Sequence, residues 1–131
     1  MSDDERDETS RVRGTVLQPG KLCFVREVAE LEDGSSVRLV GRVASLDYAR
    51  NRCSVAHGGA TVQVDTRYLD QLEFKVNGLV SVIGEVERDA ESGGGKVLRA
   101  RVCRSVDGLS VEVWDKTVAM HREFMSKLDA V

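Results

Sequence analysis

Leu79-Val80-Ser81-Val82-Ile83-Gly84-Glu85-Val86-Glu87 reads as a β-strand with an embedded glycine, and Lys96-Val97-Leu98-Arg99-Ala100-Arg101-Val102-Cys103-Arg104 reads as its partner across a turn from Asp89 to Gly95. Apolar and polar residues alternate with the period of a half-buried strand. Val80, Val82 and Val86 form the inner set of the first strand. In the second, Leu98, Ala100 and Val102 point inward, and Arg99, Arg101 and Cys103 outward. Val106-Asp107-Gly108-Leu109 then opens a long amphipathic helix over about 109–128, with Asp107 and Gly108 supplying its start. A long hairpin followed by such a helix implies a small barrel with an appended docking element.

Upstream of the hairpin the chain is a run of short strands. Val37 to Leu46 is one, interrupted by Gly41; Arg52 to Ala56 and Ala60 to Asp65 follow, separated by the turns Tyr48-Ala49-Arg50-Asn51 and His57-Gly58-Gly59. Three strands in immediate succession imply an antiparallel meander. Thr66-Arg67-Tyr68-Leu69-Asp70-Gln71-Leu72 is predicted to form a short helix, capped by Asp65 or Thr66 and burying Leu69 and Leu72. In residues 21–31 the front suits a short extended segment and the rear a helical turn, with Phe24, Val28 and Leu31 at helical spacing. The order β-β-β-α-β-β with a C-terminal helix gives the fold class: all-β with helical additions, a single OB-fold. That is a five-stranded Greek-key barrel with a helix between strands 3 and 4. Gly41 and Gly84 would let the strands bend around the barrel.

At 131 residues the chain holds one domain with a real core, and it is too short for two ordinary ones. Its net charge of −3 is unevenly spread. The first ten residues carry Asp3, Asp4, Glu5, Asp7 and Glu8 against Arg6; setting them aside leaves 17 acidic and 18 basic residues. The body is therefore about neutral, unlike a strongly cationic nucleic-acid binder. Residues 1–20 read as a disordered acidic tail ending in Pro19-Gly20, with an electrostatic gate against nucleic acid as the alternative. Residues 21–131 form the OB domain. No apolar run approaches the length of a membrane span, and no membrane partner is expected. Cys23, Cys53 and Cys103 are isolated in sequence, so free thiols are expected rather than a disulfide framework.

No catalytic constellation emerges. Lys96 follows Gly93-Gly94-Gly95, but Ala90 stands where a phosphate-binding loop needs glycine, and Val97 where it needs serine or threonine. His57 and His121 have no cysteine or carboxylate at ligand spacing, so neither a metal nor another cofactor is expected. The carboxylates sit on turns and solvent faces, with no recognisable acid/base pair. Single-strand binders on OB barrels combine cationic grooves with aromatic platforms. The candidates here are Arg42, Tyr48, Arg99 and Arg101, with Arg38, Arg50, Arg52 and Tyr68 nearby in sequence. The alternative is that these arginines solvate the barrel or pair with acidic groups.

The C-terminal helix carries two adjoining apolar stripes. Val111, Trp114, Val118 and Met125 form one; Val113, Met120 and Phe124, with Thr117 between, form the other. One stripe can pack on the barrel. An apolar surface this wide then needs a second cover: either a partner molecule, or the barrel and residues 21–31 together.

The chain resembles a known family through Gly34-Ser35-Ser36-Val37-Arg38-Leu39-Val40-Gly41-Arg42-Val43, then Val82-Ile83-Gly84-Glu85-Val86, Ala100-Arg101-Val102 and Val106-Asp107-Gly108-Leu109. In order and spacing these are similar to the smallest subunit, the TEN component, of the CST (CTC–STN–TEN) telomere complex, over about residues 20–128. The resemblance implies a non-catalytic OB-fold subunit in the nucleus, at the telomeric region of chromosomes. It would bind an STN-like OB-fold subunit and, through it, the large CTC subunit. The trimer would bind single-stranded telomeric DNA and work with DNA polymerase α–primase in fill-in of the complementary strand. The resemblance implies a partner surface on the first strand and the C-terminal helix, matching Arg38 and Phe124; Val113, Thr117, Met120 and His121 join it on the helix. Trp114 departs from the family pattern. A replication protein A-like small subunit and a stand-alone single-strand binder are the competing functions.

Overall fold

The computed structural model describes residues 20–70 and 75–129. The tail assigned to the N-terminus lies outside them, apart from Gly20. The described elements are β1 (Lys21–Leu22), a 3-10 helix (Val25–Glu30), β2 (Ser36–Asp47), β3 (Arg52–His57), β4 (Ala60–Asp65), β5 (Leu79–Arg88), a 3-10 turn (Ala90–Ser92), β6 (Lys96–Ser105) and α1 (Val111–Asp129).

Strands β2, β3 and β4 form the expected antiparallel meander. β5 and β6 pair antiparallel, β5 returns to β2, and β6 lies parallel to β4 through Gln63–Asp65 and Val97–Arg99. These pairings close the OB barrel. β1 adds a short parallel strand beside Val37 and Arg38. The interior is built chiefly from β-branched valines, Val37, Val43, Val55, Val64, Val80, Val82 and Val86, with Leu39, Leu98 and Ala100. Such side chains suit a pleated, buried surface. A Cβ on Gly84 would lie 2.2 Å from the Arg99 carbonyl oxygen, and one on Gly41 2.6 Å from Val55 Cγ1. Both glycines thus permit close approach between strands.

The alternation predicted for β6 holds only to Ala100. Register slips between Ile83 and Gly84, where Ala100 opposes Gly84 and Val102 opposes Ile83, leaving Arg101 as the extra residue. A bulge of this kind moves every later side chain to the other face. Val102 is consequently outside the core, and Cys103 packs against it. Burial pushes the Cys103 thiol up to about 12, helped by neighbouring Cys53; burial raises Cys23 and Cys53 to about 11. All three cysteines are free.

Two local expectations change. The start of the helix predicted after β4 is turn at Thr66–Asp70; Gln71 and Leu72 lie outside the described residues. The Asp65 carboxylate accepts a hydrogen bond from the Arg67 amide at 3.0 Å, and the Leu69 amide donates to the Thr66 carbonyl at 3.0 Å. These bonds close a turn in place of the first helical one. Leu69 still packs against the barrel core. At the C-terminus, α1 begins at Val111, later than Asp107-Gly108 suggested. Ser110 is the cap: its hydroxyl accepts from the Val113 amide at 3.3 Å. Asp107 instead accepts from the Leu79 amide at 2.7 Å and the Ser105 hydroxyl at 3.1 Å, fastening the β6–α1 connection to β5. Those bonds hold its carboxyl below the usual range.

Candidate partner-binding surface

A second apolar cluster lies outside the barrel. Val40 of β2 and Leu79 of β5 point outward and are covered by Trp114 and Val118 of α1, with Leu22, Phe24, Val106 and Val111 around them. Trp114 is only 8% exposed, so its ring faces the barrel. Its buried indole N–H finds no acceptor among the described residues, so packing is what holds the ring.

Polar contacts fix the rotation of the helix. His57 Nε2 at the end of β3 lies 2.8 Å from Asp115 Oδ1, and the imidazole stacks on Phe24. Arg122 donates two hydrogen bonds of 2.6 Å to the Glu27 carboxylate and one of 3.1 Å to the Leu22 carbonyl. Glu27 Oε1 also accepts from the Phe24 amide at 2.7 Å. The Arg122 fork holds the Glu27 carboxyl below the usual carboxylate range and raises Arg122 in turn. Arg122 and Glu27 lie 95 positions apart, and neither apolar periodicity nor a motif marks the pair.

These anchors leave the other stripe bare. Val113 is exposed, Met120 is 69% exposed and Phe124 60% exposed. Thr117 lies on the same exposed stripe, and its hydroxyl donates to the Val113 carbonyl at 2.8 Å. The segment 21–31 packs under α1 without covering this stripe. His121 is exposed beside this stripe and also lines a cleft of about 610 Å³ with Leu22, Cys23, Leu31, Arg122 and Met125. Arg38 is exposed on the outer face of β2, where its guanidinium makes no ion pair or hydrogen bond among the described residues.

The nucleic-acid candidates are differently placed. Arg101 Nε donates to Glu85 Oε2 at 2.8 Å, and its Nη2 to the Ser36 hydroxyl at 3.0 Å. Arg99 lies 3.0 Å from Glu87 and 3.9 Å from Glu85, with its guanidinium 5.8 Å from the Tyr68 ring. Arg42 donates to the Asn77 carbonyl at 3.1 Å. Across the β2–β3 and β5–β6 loops, Arg52 bonds both Asp89 oxygens at 3.1 and 3.2 Å and Glu91 at 3.1 Å, and Arg50 also pairs with Glu91. Lys96, behind the triple glycine, pairs with Asp33 at 2.8 Å. Tyr48 is exposed on the first of these loops. The loop face therefore joins arginines to carboxylates within the chain, and no continuous cationic groove results among the described residues.

The family described as telomere-capping, CST complex subunit matches residues 16–128. The chain belongs to that family. It is 31% identical to the mouse CST complex subunit TEN1 over 116 residues, which are 84% of this chain and 71% of that protein. Among solved structures, the fission yeast (S. pombe) Stn1–Ten1 complex contains a chain that superposes with a TM-score of 0.69 at 19% identity, covering 81% of this chain and 94% of its own. Replication protein A of U. maydis bound to single-stranded DNA gives a TM-score of 0.63 at 19% identity, over 83% and 94% of the two chains. These structural likenesses are ones of fold. Membership in the CST family fixes the class of complex, which residue spacing alone left open between telomeric and general replication subunits.

Proposed function

We propose that this subunit docks an STN-like OB-fold protein through the bare stripe of α1 and the outer face of β2. The observation that carries the reading is the split of α1 into two apolar stripes, one sealed on the barrel by Trp114 and Val118, the other left open at Val113, Met120 and Phe124. Arg38, without an ion pair among the described residues and on the same outer face as Val40, supplies a cation at the edge. His121 lies beside the stripe, about 60° around the helix from Phe124, and also lines the cleft next to β1.

Through that partner the chain joins the CTC subunit. It stabilises a trimer that holds telomeric single-stranded DNA and supports polymerase α–primase fill-in in the nucleus. Its own role is structural and non-catalytic. Its own DNA affinity is small, because Arg99, Arg101, Arg50 and Arg52 are engaged by carboxylates; Arg42 and Tyr48 make at most an auxiliary contact. Titrating a fluorescent single-stranded telomeric oligonucleotide against the isolated chain tests this part. Tight, steeply salt-dependent binding would favour a stand-alone binder instead. Co-expression with the STN-like subunit tests the docking: wild type should co-purify stoichiometrically and Arg38→Glu poorly. If Arg38→Glu weakens only DNA binding, the arginine belongs to a nucleic-acid groove.

A further inference from the structure

The docking stripe is too small to account for a stable complex by itself. A standard interface buries roughly 800 Å² on each partner, whereas a buried aromatic contributes roughly 150–250 Å². The surface must continue beyond Val113, Met120 and Phe124, and the orientation of α1 shows where. At roughly 100° per residue, Asp115 and Arg122 lie on the opposite side of the helix from that stripe. Asp115 faces His57 of β3, and Arg122 faces Leu22 of β1. Both strands flank β2 on one side; β5 flanks it on the other. The bare stripe therefore turns toward β5 and β6.

On the outer face there, register places Arg38, Ile83 and Val102 in one row and Val40, Ser81 and Arg104 in the next but one. Ile83 and Val102 are half-buried apolar side chains that pack in neither core cluster. Val102 stands outside only because of the bulge at Arg101. Arg38 and Arg104 are exposed, with no ion pair or side-chain hydrogen bond among the described residues. Arg50, Arg52, Arg99, Arg101 and Arg122 all hold carboxylates within the chain. An apolar floor between two cations that no described residue pairs fits a segment that is apolar at its centre and acidic at its flanks.

Resting on the docking reading above, we propose that the interface turns off the helix onto this sheet face. Ile83 and Val102 receive an apolar segment of the same STN-like partner, and Arg38 and Arg104 pair with its carboxylates. The test is calorimetric titration of the full chain with the STN-like subunit of the same organism. Arg104→Glu should weaken binding about tenfold and flatten its salt dependence, and Arg104→Lys should retain most of the affinity. Arg88→Glu, the same charge change at the far end of β5, should alter affinity less than about twofold. Ile83→Ser should weaken binding as well; since it can also disturb β5, the exposed Arg104 carries the decision. Wild-type affinity in Arg104→Glu overturns the proposal, as does an equal loss in Arg88→Glu, which would reduce the effect to net charge. Either result leaves the docking reading intact when Phe124→Ala still weakens the complex. Wild-type affinity in Phe124→Ala brings down the docking reading itself.

Discussion

The loop face of the barrel and its helix face treat side chains in opposite ways. Around the β2–β3 and β5–β6 loops, where OB-folds often hold oligonucleotides, arginines are matched to carboxylates. Arg52 sits in the fork of Asp89 with Glu91 beside it, and Arg99 and Arg101 share Glu85. On the helix face, Val113, Met120 and Phe124 lack apolar cover, and Arg38 makes no ion pair among the described residues. Groups satisfied within the chain stabilise the fold; groups left unsatisfied are available to another molecule. On the docking reading, this barrel meets its partner through its appended helix and not through its loops.

The sharpest way to break this comparison is within α1 itself. Trp114→Ala removes the ring that seals Val40 and Leu79 and should lower unfolding free energy by about 3–5 kcal/mol in chemical denaturation. A loss under about 1 kcal/mol would mean the helix is not fastened by its inner stripe. On the loop face, Asp89→Ala leaves Arg52 half-buried without its fork and should lower stability by about 3 kcal/mol. If the variant instead melts like wild type, the loop ion pairs are ornaments of the surface. Phe124→Ala should leave the free chain's stability within about 0.5 kcal/mol, as for an exposed site. It should also weaken partner binding by about 2 kcal/mol, as for an aromatic anchor.

The smallest effect concerns pH. The Glu27 carboxyl is held below its ordinary value by the Arg122 fork. Its contribution is therefore fully present above that ordinary value and is lost as pH falls through the depressed one. Thermal melts from about pH 5 to pH 3 should show a smaller acid loss in Glu27→Gln than in wild type. Equal slopes would show that the Arg122 clamp adds nothing to stability.

Much of this was legible in the residues. Strand runs bounded by turn residues, with period-two alternation in the last two, located all five barrel strands, and glycines inside strands marked the close approaches at Gly41 and Gly84. The two-stripe helix also followed from spacing alone. The inward set of β6 did not, because a bulge at Arg101 shifts register without leaving a compositional mark; Val102 and Cys103 then exchange faces. The helix expected from Thr66 does not start there, because the Asp65 carboxylate closes a turn with the Arg67 amide; Gln71 and Leu72 lie outside the described residues. The orientation of Trp114 was also hidden. It depends on the Arg122–Glu27 and His57–Asp115 contacts between distant parts of the chain.

The central claim is that α1 has one face for folding and one for binding. Calorimetry of Phe124→Ala with the STN-like subunit, run beside chemical denaturation of the same sample, tests it most directly. Binding should weaken roughly 30-fold with an unchanged unfolding curve. Wild-type affinity, or a stability loss as large as that of Trp114→Ala, would contradict it.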